Sequence, residues 1–145
     1  MEYFYDSAEF LNRSKISEKE KEQLFFFIKD FIDVYLKIQN SDKSALEEEF
    51  VIRNYLLYKG LYYIYLYKKD ISIYIYYIQK MIINYIISGN YRGVEFIKKI
   101  MILEGINSIS NQQKVKIFQE KLLSICGEKF RKDYMDTMKP SLESI

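Results

Sequence analysis

Leu24, Phe27, Phe31, Tyr35 and Ile38 recur at spacings of three and four residues, with Ile28 and Ile32 beside them. Lys29, Asp30, Asp33 and Lys37 occupy the other side, so the stretch predicts an amphipathic helix. Ser17-Glu18-Lys19-Glu20 precedes it in capping-box form, the serine oxygen accepting from the third amide on and Glu20 reaching back. Gln39-Asn40-Ser41-Asp42 ends it. Ahead of this helix, residues 1–15 have no clean period. Tyr3, Phe4, Tyr5, Phe10 and Leu11 are consistent with a short helix or with an arm over the core.

A second box, Ser44-Ala45-Leu46-Glu47, predicts a helix running to about Tyr67. Glu47, Glu48 and Glu49 fall in its first turns, where the helix dipole favours negative charge. Gly60 marks a place where another backbone could approach closely. The most apolar and aromatic stretch is 56–88, interrupted only at Lys59-Gly60, Lys68-Lys69-Asp70 and Gln79-Lys80. Within it Ile71, Ile73 and Ile75 alternate with Ser72, Tyr74 and Tyr76 as in a strand, and a hairpin turning at Lys68-Lys69-Asp70 is the competing reading. The eighteen residues of 71–88, with Gly89 placed as a stop, favour helix instead. Residues 71, 75, 78, 82 and 85/86 would form its apolar stripe, and the stretch is expected to be the central helix.

After a Gly89-Asn90 turn, Tyr91–Glu104 is amphipathic, with Val94, Ile97 and Ile100/Met101 inward and Arg92, Glu95, Lys98 and Lys99 outward. Ser110-Asn111-Gln112-Gln113 resembles a third cap, for a helix from Asn111 that buries Val115, Phe118, Leu122 and Ile125 and stops at Gly127. A last short helix over 128–138 ends before Pro140, leaving 140–145 as a frayed tail. The fold class expected is all-α: one domain over 1–139, an antiparallel bundle or helical-hairpin stack of five to six helices. Around 71–88 the core is expected to hold Phe27, Phe31, Tyr35, Phe50, Leu57, Ile64, Val94, Ile97, Phe118 and Leu122.

Composition changes this picture in two ways. The 145 residues are 49% apolar and 29% charged, with a net charge of +2. They include 15 Tyr and 10 Phe but no Trp or His. Ile, Lys, Tyr, Phe and Asn share A/T-rich codons, so an A/T-rich genome accounts for much of the tyrosine excess. Through Gly89 there are 12 basic and 13 acidic residues, and from Asn90 on 10 and 7, too small an excess to define a nucleic-acid face. One cysteine, Cys126, forms no internal disulfide and favours a reducing, cytoplasmic setting. MEYFYDSAEF has no basic region or long apolar core of a signal peptide. A membrane span over 71–88 would bury Lys80, at roughly 2.5–3.5 kcal/mol.

The chemistry on offer is narrow. Without histidine there is no Ser-His or Cys-His pair and no imidazole ligand, and one thiol makes no zinc cluster. Asp30/Asp33 and Glu47–Glu49 fit solvated faces and helix starts. Gly89-Asn90-Tyr91-Arg92-Gly93 lacks the lysine of a phosphate loop. No cofactor, metal or catalytic set is expected.

Two local resemblances occur. Ser88-Gly89-Asn90-Tyr91, followed by Val94 and Lys98-Lys99, is similar to the junction between the two helices of a tetratricopeptide unit. Tyr67–Asp70 followed by Tyr76-Tyr77 is a fainter copy. Tyr, Ile and Met stand where that repeat uses alanine. Glu104-Gly105-Ile106, Ser108-Ile109 and Glu120–Ser124 resemble the cytoplasmic tail of flagellar stator proteins of the MotA family. That family's intervening Gly and Pro and its four membrane spans are missing here.

By elimination the expected function is protein binding: a small cytosolic adaptor, chaperone-like protein or inhibitor, of the kind mobile elements and phages carry. Its partner would be another protein or a second copy of itself. The surface expected to do this is a tyrosine-rich groove built from exposed members of Tyr55, Tyr58, Tyr62, Tyr65, Tyr74 and Tyr77. The alternative is a nucleic-acid-binding regulator using Lys114, Lys116, Arg131 and Lys132.

Overall fold

The computed structural model describes residues 8–40 and 43–140. The expectations for Tyr3, Phe4, Tyr5, Ser41, Asp42 and the end of the tail lie outside them. The described residues are all-α, without a strand. In chain order the helices are α1 (Ala8–Arg13), α2 (Glu18–Gln39), α3 (Glu49–Arg53), α4 (Tyr55–Leu66), α5 (Ile71–Ser88), α6 (Gly93–Ser110), α7 (Val115–Ile125) and α8 (Glu128–Met138). Short 3-10 turns, Lys43–Glu47 and Lys68–Asp70, precede α3 and α5. Helix, not hairpin, is therefore the state of 61–78.

The central element is α6, not α5. Helix α6 packs against α2, α4, α5 and α7. Ile100, Met101, Ile102 and Leu103 are four consecutive buried residues, which is more than a full turn. A helix that is apolar all round belongs inside. Helix α5 buries only Ile78, Ile82, Ile83 and Ile86, and the rest of its surface faces outward or lies partly covered. High apolar content favours α5 as the central helix, but tyrosine tolerates a wet surface through its hydroxyl. All ten expected core residues are buried nonetheless.

Rings tie the layers together. Phe31 lies 4.9 Å from Phe118 and 5.2 Å from Phe50, and Tyr35 stacks on Phe118 at 4.2 Å. Phe25 meets Phe130 and Tyr134, docking α8 onto α2. Helix α1 is anchored by buried Arg13, whose Nε donates to the Tyr91 carbonyl at 2.8 Å and whose guanidinium lies over Phe96.

The capping box at Ser17 forms as expected. Glu20 does more than close it: Oε1 accepts from the Ser17 amide and Oε2 from the Val94 amide, so one carboxylate caps both α2 and α6. Those amides hold Glu20 below its ordinary pKa. The Arg131 hydrogen bond does the same to Glu120, and the Lys21 bond to Asp133. A depressed folded-state pKa stabilises above the unfolded value and is lost as pH falls through the folded one. Melting temperature should therefore hold level down to about pH 5 and drop below about pH 4, with Glu20→Gln shallowing the drop. A melting temperature that rises on acidification would contradict this.

Two boundaries differ from expectation for identifiable reasons. The helix expected from Ser44 to Tyr67 is broken at Asn54, where the side-chain amide donates to the Phe50 carbonyl at 2.7 Å and competes with the backbone. Its start is a 3-10 turn rather than an α-helical cap. The third expected cap is a helix end instead. Gln112 adopts φ 52°, its amide donating to Ile109 and the Gln113 amide to Ser108, which closes α6 in a Schellman arrangement. Helix α6 thus runs through Gly105, and α7 starts at Val115.

Candidate functional site

Helices α4 and α5 form a hairpin against α6, and its outer surface collects the chain's exposed apolar groups. Of the fifteen large hydrophobic side chains exposed among the described residues, ten lie between Tyr55 and Ile87. That concentration distinguishes a patch from scattered surface residues.

On α4 the spacing places Tyr55, Tyr58, Tyr62 and Tyr65 along one stripe. Tyr55, Tyr58 and Tyr62 are exposed, as are Tyr74 and Tyr77 on α5. Tyr65 differs. It is half-buried and lines a cavity of about 380 Å³ with Ile38, Ile64, Lys68, Ile71 and Ile109. Helices α2, α4 and α6 end around that cavity, and Lys68 supplies the positive charge their carbonyl ends favour.

The expected groove between the helices is a closed seam. Tyr67 stacks on Tyr74 at 4.2 Å, joining the hairpin tip to α5. Farther along, Lys59 Nζ donates to the Tyr85 hydroxyl at 2.7 Å and lies 4.8 Å from its ring centroid. That hydroxyl raises the Lys59 ammonium above its ordinary pKa. With the seam filled, the tyrosines present a face rather than a cleft.

The sequence reading missed Leu66, Ile73, Tyr76 and Ile87, all exposed on this face. Tyr77 is 65% exposed, Ile73 62% and Tyr76 59%. The signal lay in the sequence once helix was chosen for 71–88. Ile73, Tyr76 and Ile87 sit off the expected 71/75/78/82/85–86 stripe, so a helix buried on one side leaves them out, and of that stripe Tyr85 is itself exposed.

Carboxylates are interleaved with the basic residues of the alternative reading. Lys114, Lys116 and Lys132 are exposed. Arg131 is bound to Glu120 through Nε and Nη2 at 2.8 and 2.9 Å. Lys116 also acts on Glu120, and Lys132 on Asp133, so carboxylates stand among the cations. Cys126 is partly covered, and burial pushes its thiol up to about 12, which leaves little thiolate at neutral pH.

The class defined is an all-α protein in which the exposed apolar surface of the described residues is concentrated on one helical hairpin. Among the described residues no helix is long and apolar enough to cross a membrane. Compared with protein-family models, curated proteins and solved structures, the chain matches none, and the local resemblances at Ser88–Tyr91 and 104–124 stand without a family match.

Proposed function

We propose that this chain is a protein-binding module, acting without catalysis, and that the outer face of the α4–α5 hairpin is its docking surface. The observation that carries the proposal is the gathering of ten exposed large hydrophobic side chains on two adjacent helices. Tyrosine contributes large contact area at small entropic cost, with a hydroxyl that keeps the free face hydrated. A cytosolic adaptor, chaperone-like protein or inhibitor would use such a face.

Photo-crosslinking residues placed at Tyr62 and Tyr77, and for contrast at Lys116 and Lys132, test this in extract of the source cells. Protein adducts are expected at the two tyrosine positions and should survive moderate salt, because apolar burial is not screened. Tyr62→Ala with Tyr77→Ala should weaken the captured complex about tenfold or more while leaving the melting temperature unchanged. Nucleic-acid adducts at Lys116 and Lys132, lost as salt rises, would overturn the proposal in favour of the regulator.

A further inference from the structure

We infer that the outer stripe of α5 receives an acidic amphipathic helix of the partner protein, an inference that rests on the protein-binding reading above and specifies its ligand. The covered side of α5 runs through Ile78, Ile82 and Ile86. On the side away from it, Ile73, Lys80 and Ile87 stand seven residues apart, with Tyr76 and Tyr77 in the first interval and Asn84 in the second. A seven-residue repeat is the spacing at which one helix meets another packed along it at a shallow angle. Ile73, Tyr76, Tyr77 and Ile87 are each more than half exposed, so the stripe is open along the helix.

Charge selects the occupant. Between Tyr55 and Ser88 there are four lysines, Lys59, Lys68, Lys69 and Lys80, and a single carboxylate, Asp70. The ion pairs among the described residues, such as Lys21–Asp133 and Arg131–Glu120, lie outside this hairpin. Lys80 leans on an aromatic instead: its Nζ is 5.6 Å from the Tyr76 ring centroid and 3.4 Å from the Tyr76 hydroxyl. A helix laid over the stripe removes water from that ammonium and must replace it with an anion. The complementary helix is therefore apolar at both ends of the contact and carries Asp or Glu at its middle.

A second copy of this chain fits less well. Pairing stripe on stripe so that the isoleucines meet, parallel or antiparallel, sets Lys80 opposite Lys80, a like-charge contact at the centre. A nucleic-acid strand fits less well too, because it needs a groove lined with cations along its phosphates. Here isoleucines flank one lysine, and the seam beside it is closed.

The test uses a displayed library of helical peptides of about three heptads, apolar at the two contact positions of the outer heptads and random elsewhere, the central contact positions included. Selections run in parallel against the full chain and against Lys80→Glu. Asp or Glu should be enriched at the central position against the native chain, and Lys or Arg against Lys80→Glu. Exchanging the central acid of a selected peptide for lysine should weaken binding about tenfold, and Ile73→Asp in the protein should do likewise. Ile73 and Lys80 are exposed, so unchanged helicity and melting temperature confirm that both variants fold.

Peptides whose central charge ignores residue 80, or failure to select any helix, would overturn the inference. So would a native dimer in sedimentation that Ile73→Asp dissolves, or a labelled single-stranded RNA whose binding Lys80→Glu abolishes. Protein adducts at Tyr77 combined with charge-indifferent peptides would remove the acidic helix and leave the protein-binding reading. Absence of adducts at Tyr62 and Tyr77 would remove both.

Discussion

Replacing Phe31 by alanine should cost about 3–5 kcal/mol, the range for truncating a fully buried aromatic side chain. Calorimetry or denaturant unfolding would read this as a fall in melting temperature of roughly 10 °C or more. Phe31 is fully buried among Phe27, Phe50 and Phe118, and its ring lies against Gly105 of the central helix. A Cβ at Gly105 would overlap that ring. In the native chain Gly105→Ala should therefore destabilise, since an overlap of about 1–3 kcal/mol outweighs the roughly 1 kcal/mol that alanine gains in a helix. In the Phe31→Ala background the overlap is gone and only the gain remains, so the sign should reverse. Additive effects would show that α2 and α6 do not meet at this point.

The second large effect distinguishes the two candidates for central helix. Ile100→Ala, at a fully buried position of α6, should cost about 2–5 kcal/mol. Ile73→Ala, on the most apolar stretch of the chain but exposed, should stay within about 0.5 kcal/mol. Equal losses at the two positions would return α5 to the core. The pair also bears on function: Ile73 is free for a partner only because the fold makes no use of it.

Element type and core membership were legible in the sequence because both are local or periodic. The Ser17 box, the period from Leu24 to Ile38, and Pro140 after α8 act through neighbouring residues along the chain. Most inward residues named from spacing are buried, whereas Ile32, Ile71, Ile75 and Ile125 are only partly covered and Tyr85 is exposed. Local chemistry that bends a rule was harder to see. Asn54 interrupts a helix by taking a carbonyl for its own amide, and Gln112 ends one in a left-handed conformation usually taken by glycine.

The sequence determined that this chain folds as packed helices, and it supplied the tyrosines and lysines of the proposed docking face. Only the tertiary structure decided which helix lies inside. Apolar content measures how much surface a segment could bury, whereas centrality depends on having neighbours on every side. Helix α6 has them, with Gly105 giving the Phe31 ring room to lie against it. Helix α5 has them on one side. The same imbalance leaves Ile73, Lys80 and Ile87 aligned on an open face, an arrangement that exists only because the fold covers the opposite side of that helix.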